Sequence, residues 1–123
     1  MLIAYWIIAG LLALAYLAAG TQKAFRAPDK LVAPGIGWAK DMPLPVVRLI
    51  GVAEVLGAVG LILPPLTGIA PILAPIAALG LIVLQVAAIV FHLIRREAKA
   101  LPMNLVLLLA AVAVAVLGFL LWG

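Results

Sequence analysis

All eight Lys and Arg residues of this 123-residue chain fall in two short segments, Lys23 to Arg48 and Arg95 to Lys99, and the sequence around and between them is apolar. A chain that threads a bilayer several times has this pattern, with cations held at the membrane surface and uncharged stretches crossing it. Three of the four acidic residues, Asp29, Asp41 and Glu97, share the basic segments. Glu54 stands alone in a hydrophobic stretch.

Composition excludes a soluble domain. Hydrophobic residues make up 69% of the chain and charged residues 10%, whereas soluble domains need about 25% charged residues to keep their surfaces wet. At this length one membrane domain, residues 1–123, is expected. The net charge of +4 is used at the membrane surface, where cations meet anionic headgroups, so no nucleic acid is expected. The chain has no cysteine, which excludes disulfides, thiol redox chemistry and thiolate metal ligation from its own residues.

About 20 apolar residues cross the hydrocarbon layer at 1.5 Å each. Four segments qualify, at about 2–22, 46–63, 69–94 and 103–122. The expected fold is all-α, a four-transmembrane-helix bundle with a long interfacial first connection over 23–45. Pro64 and Pro65 are expected to close the second span, because proline inside a helix removes a backbone donor. Pro71 and Pro75 fall in the opening turns of the third, where the donor is least needed. The first span lacks a charged leader and is too long for a cleaved signal segment, so it is expected to be retained.

Loops rich in Lys and Arg stay cytoplasmic. Residues 23–45 and 95–102 are therefore expected inside, with both termini outside, in the inner (plasma) membrane. Tyr5, Trp6 and Trp122 suit the outer interface, where amphipathic rings settle. The 23–45 connection interleaves Phe25, Ile36 and Trp38 with Lys30, Lys40 and Asp41, and Pro28, Pro34 and Pro43 divide it. It reads as brief helical turns lying in the headgroup zone.

Helical spacing gives each span one polar or small-residue stripe. These are Tyr5, Ala9, Leu12, Tyr16, Ala19 and Lys23 on the first; Gly51, Glu54, Gly57, Ala58 and Leu61 on the second; Gln85, Ala88, His92 and Arg95 or Arg96 on the third; and Asn104, Leu108, Ala111, Ala115 and Gly118 on the fourth. Steps such as Ala74 to Ala78 and Ala111 to Ala115 are read as packing. Glu54 thus points inward, roughly 13 Å from the helix start at Pro45. With alternating spans, Glu54, His92, Lys23, Gln85, Tyr16 and Asn104 all fall in the cytoplasmic half, as a ligand or proton pocket sealed on the outer side by Ala, Leu and Val. A carboxylate in a bilayer must be paired, protonated or hydrated. Arg48 lies about 240° around the helix from Glu54, so Lys23 or His92 is the expected partner. The same polar residues also read as hydrogen-bonding glue that fixes helix register. One histidine without a second His or Cys is a poor metal site, and none is expected.

The run from Gly51 to Pro64 (GVAEVLGAVGLILP), the run from Pro75 to Leu81 (PIAALGL), His92 to Glu97 (HLIRRE), and Gly20 with Lys23 resemble the DoxX-like family of small four-helix membrane proteins. The resemblance covers nearly the whole chain, and Lys23, Glu54, His92 and Glu97 are its chemically distinctive positions. It implies a fold more than a reaction, since relatives are accessory subunits of quinone-linked sulfur oxidation, members of redox and oxidative-stress assemblies, or assembly partners of other membrane proteins.

Three functions follow as expectations. The first is a non-catalytic subunit or assembly partner, in contact with the lipid bilayer and with another membrane or redox protein, without catalytic activity or a cofactor of its own. The second is a binder of a lipophilic ligand or quinone, with Glu54 and His92 handling protons and Tyr16 and Gln85 placing a ring or carbonyl. The third is a proton-coupled small-molecule transporter working through Glu54. A homodimer fits all three, because four short helices leave Gly and Ala stripes available.

Overall fold

A computed structural model describes residues 1–25, 44–96 and 101–123. Four helices account for nearly all of them: α1 Leu2–Phe25, α2 Leu44–Thr67, α3 Leu73–Ile94 and α4 Leu101–Trp122. Each is long and apolar enough to cross a membrane. At 22 to 24 residues they run about 33 to 36 Å, slightly more than the hydrocarbon thickness. The expected all-α four-span bundle is the observed one. Of the interfacial connection expected over 23–45, residues 23–25 instead extend α1 and 44–45 open α2; the rest, 26–43, lies outside the described residues, as do residues 97–100 of the second basic loop.

The helices form a ring in which α1 packs on α2, α2 on α3, α3 on α4 and α4 back on α1. Neighbours run antiparallel. Tyr5 at the start of α1 meets Leu61 near the end of α2, and Gly118 near the end of α4 sits against Pro75 at the start of α3. Small residues set the approach. A Cβ on Gly57 would lie 2.6 Å from the Leu81 side chain, and one on Gly60 would lie 2.9 Å from Ala77, so α2 and α3 pack backbone to side chain as bilayer helices do. The buried core comprises Tyr5, Ala9, Leu12, Tyr16, Ala58, Leu61, Ala74, Ala78, Leu81, Ala111, Val114 and Ala115, among others. These are largely the stripes read from spacing. On α1 the buried positions are Ala13 and Gly20 beside the expected ones, and Ala19 is only half-buried.

Prolines mark the helix starts. Pro45, Pro75 and Pro102 all lie in first turns, whose amide donors have no intrahelical acceptor. The second span differs from expectation. Pro64 and Pro65 do not close it, and α2 continues through both to Thr67. Two effects permit this. Pro65 leaves the carbonyl of Leu61 without its helical donor, and the Tyr5 hydroxyl donates to that carbonyl at 2.7 Å, fully buried. Beyond the prolines the turn is closed again by Gly68 N–H to Pro64 O at 3.0 Å and by the Thr67 hydroxyl to Leu63 O at 2.8 Å. The link to α3 then uses left-handed backbone at Gly68 (φ 74°) and Ala70 (φ 46°), and α3 begins at Leu73, later than the Ile69 expected from hydropathy.

Tyr5 also departs from its expected place as a headgroup anchor. Its ring is wholly buried, edge-on to Trp6 (centroids 5.5 Å) and Trp122 (4.7 Å). The hydroxyl that would have sought water is satisfied inside the protein, so the ring closes the terminal end of the bundle. Trp6 and Trp122 flank it, half-buried.

Candidate functional site

The chemistry of the chain gathers on the loop side of that plug. Lys23 sits in the last turn of α1 and Glu54 in the third turn of α2, and both turn inward. Lys23 Nζ donates to Glu54 Oε1 at 2.5 Å, with the two side chains 16% and 7% exposed. Of the two expected partners for Glu54, the structure uses Lys23. Burying either charge alone in hydrocarbon would cost several kcal/mol, so each is tolerated through the other.

Two glycines make room for the pair. A Cβ on Gly51 would lie 2.8 Å from Lys23 Cβ and 2.7 Å from the Gly20 carbonyl; one on Gly20 would lie 3.1 Å from Glu54 Cβ and 2.7 Å from the Gly51 carbonyl. Each charged residue therefore starts over the glycine of the opposite helix. The spacing repeats on both sides, with Gly20 three residues before Lys23 and Gly51 three before Glu54. That repeat is a signal for the pairing that the sequence carries, and Gly20 is a site-building residue outside the α1 stripe.

Arg48 is a second such residue. As its angle on α2 requires, it does not reach along one face to Glu54. Instead Arg48 Nη1 donates to the Lys23 carbonyl at 3.0 Å. That carbonyl is among the last four of α1, which lack intrahelical donors, and a cation there also complements the negative end of the helix dipole. Lys23 is thus held to α2 by its side chain and by its backbone.

Neutral polar groups continue the site. The Tyr16 ring is buried on α1, and its hydroxyl lies beside the Gln85 side chain across the bundle and within electrostatic range of Glu54. Yet neither Tyr16 Oη nor Gln85 Oε1 has a hydrogen-bond partner among the described residues, and the same holds for Asn104 Nδ2 in the first turn of α4. A buried polar atom left unsatisfied costs about 1–3 kcal/mol.

Antiparallel register orders these residues by depth. Carrying the Gly57–Leu81 and Gly60–Ala77 crossings along α2 and α3 sets Gln85 nearly level with Glu54, and His92 level with Val46. His92 is therefore on the order of 12 Å nearer the loop end than Glu54. It is buried in the last turn of α3, edge-on to Phe91 (5.9 Å), over which the Arg95 guanidinium also lies at 5.5 Å. The Gly118–Pro75 contact likewise sets Asn104 level with Ile89, between Gln85 and His92. The six sequence-derived residues therefore form a descending column. Lys23, Glu54, Tyr16 and Gln85 are grouped near its head, and Asn104 and His92 lie below. Among the described residues no three His, Asp or Glu side chains lie close enough to share a metal ion.

None of the curated proteins or solved structures compared with the chain matches it. The family model described as DoxX-like matches residues 7–114, a stretch that contains the whole column from Tyr16 to Asn104. Four membrane-spanning helices and a match over most of its length establish that this chain belongs to the DoxX-like family of membrane proteins.

Proposed function

We propose that this chain is a non-catalytic subunit or assembly partner of a larger membrane complex, with a redox assembly as the class to which the family points. The carrying observation is that its one intramembrane acid is neutralised by a lysine of the same bundle. The charged pair acts as a clasp between α1 and α2. Outwardly, every helix presents exposed aliphatic side chains, such as Leu11, Leu56, Val83 and Leu109, to lipid or to a partner's helices. In this reading the termini face outward, the basic loops are cytoplasmic, and the membrane is the inner one. A photo-crosslinking side chain at Val83 or Leu109, in cells expressing the protein at native level, tests it. The expected result is one reproducible membrane-protein adduct whose yield falls when the same face carries a bulky substitution. Crosslinks to lipid alone from every helix overturn it.

A second reading is favoured by the unsatisfied atoms. Tyr16 Oη, Gln85 Oε1 and Asn104 Nδ2 fit the head of a lipophilic ligand. The tyrosine hydroxyl and the asparagine amide are donors of the kind that a quinone carbonyl accepts from. Tyr16 would orient such a head by donating to its carbonyl, Gln85 Oε1 would accept from the hydroxyl of its reduced, quinol form, and His92 would border it on the loop side. Equilibrium binding of a water-soluble quinone analogue to the purified protein, abolished by Tyr16→Phe with Gln85→Leu, is the expected result. Binding unchanged in the double variant removes this reading.

A further inference from the structure

Beside the Lys23–Glu54 clasp lies a cation that no carboxylate neutralises among the described residues. Lys23 and Glu54 cancel each other, whereas Arg48 donates from Nη1 to the Lys23 carbonyl at 3.0 Å and makes no other hydrogen bond or ion pair among the described residues. A guanidinium carries five N–H donors in a planar fork. With Nη1 taken, the edge formed by Nε and Nη2 remains, two parallel donors that match the oxygens of a phosphate or carboxylate bidentately. The Arg48 side chain is only half-buried, and Nε and Nη2 are not among the buried, unpartnered atoms of the bundle, which belong to Tyr16, Gln85 and Asn104. The bond to a helix-terminal carbonyl also holds the guanidinium in place before an anion arrives, which lowers the ordering cost of binding one.

Depth decides which anion meets that edge. Arg48 follows the start of α2 at Leu44 by about 6 Å along the axis. α2 has 24 residues and so runs about 36 Å, against about 30 Å of hydrocarbon. Its opening turns therefore lie where acyl chains give way to headgroups, the level at which long cationic side chains rest their stems on apolar surface and put their charge among phosphates. Arg95 and Arg96 follow the end of α3 at the same membrane surface and strengthen the local attraction for anionic headgroups.

We propose that the Nε–Nη2 edge of Arg48 is a binding site for a phosphate oxyanion, presented by the headgroup of an anionic phospholipid in the loop-side leaflet. Free phosphate shares that chemistry and is the other source. The site depends on neither functional reading above.

Native mass spectrometry of the full chain in detergent micelles, with phosphatidylglycerol or phosphatidylcholine of the same acyl chains added, tests it. One phosphatidylglycerol is expected to be retained with a preference of about 10-fold over phosphatidylcholine, the size of a charge-assisted hydrogen bond. Arg48→Lys, which keeps the charge and loses the fork, removes that preference, while Arg96→Gln leaves it in place. A second readout needs no substitution of Arg48. In protein carrying nitrogen-15 in its arginine side chains, the Nε–H resonance of Arg48, assigned by elimination with Arg26→Lys, Arg95→Lys and Arg96→Lys, shifts on titration with phosphatidylglycerol. A shift with phosphatidylglycerol that inorganic phosphate does not reproduce assigns the site to lipid, and a saturable shift with inorganic phosphate that competes with the lipid assigns it to the free anion; both uphold the site. An Arg48 resonance unmoved by either probe, or a preference lost as fully in Arg96→Gln as in Arg48→Lys, overturns it.

Discussion

Lys23 and Glu54 meet where glycines let α1 and α2 approach closely, ammonium to carboxylate at 2.5 Å, and each side chain leaves its helix over a glycine of the other. The pair is therefore a product of backbone proximity as well as of charge. Removing one member leaves the other charge buried without a counter-ion, a loss of about 3–5 kcal/mol, whereas replacing both with apolar groups is close to neutral. Lys23→Met and Glu54→Leu are each expected to destabilise the protein strongly, and the double variant to recover most of the loss. Unfolding in mixed micelles over a double-mutant cycle measures this. Additive losses would show that the two charges do not depend on each other.

Glycine substitutions should have opposite signs at different sites. Gly20→Ala places a methyl 2.7 Å from the Gly51 carbonyl, and a backbone atom cannot swing aside. The expected cost is about 1–3 kcal/mol, with lengthening of the Lys23–Glu54 contact. Gly80 lies in α3, and a methyl added there would meet nothing within 4 Å, so Gly80→Ala is expected to stabilise by about 0.5–1 kcal/mol through helix propensity. Thermal unfolding of the two variants side by side decides it, and equal effects would refute the close contact.

The Tyr5 hydroxyl replaces the donor that Pro65 removes from Leu61. Tyr5→Phe keeps the ring against Trp6 and Trp122 and deletes only that bond, an expected loss of about 1 kcal/mol. In a Pro65→Ala background the amide donor returns and Tyr5→Phe should cost less. An identical cost in both backgrounds would mean that the hydroxyl and the amide do not share the carbonyl.

Orientation is testable independently of mechanism. With Arg48, Arg95 and Arg96 on the loop side, the positive-inside bias predicts that alkaline phosphatase fused after Gly123 is active and that a fluorescent protein at the same position is dark. The reverse pattern would invert the bundle and place the polar column in the outer leaflet.

Much of the architecture was legible because helical periodicity and hydrophobic length are local properties. The spans, the inward face of Glu54, the burial of Gln85 and His92, and the misalignment of Arg48 with Glu54 all follow from counting residues around a 3.6-residue turn. Continuation of α2 through Pro64 and Pro65 was not legible, since a proline's penalty depends on whether some distant group satisfies the freed carbonyl. Tyr5 is 56 positions away in sequence from the carbonyl it rescues. The same distance hid its role as a plug at the terminal end.

By itself, then, the order of residues determined that this chain crosses a membrane four times, which face of each helix carries polar groups, and that one acid must find a cation. Only the tertiary structure decided that the cation is Lys23 and not His92, which glycines permit the contact, and that Tyr16, Gln85 and Asn104 keep hydrogen-bonding capacity to spare. The reason is geometric. Rotation about a helix axis is set by spacing within one segment, whereas depth and pairing depend on how antiparallel helices slide against each other, and that register is set by contacts between small residues far apart in the chain.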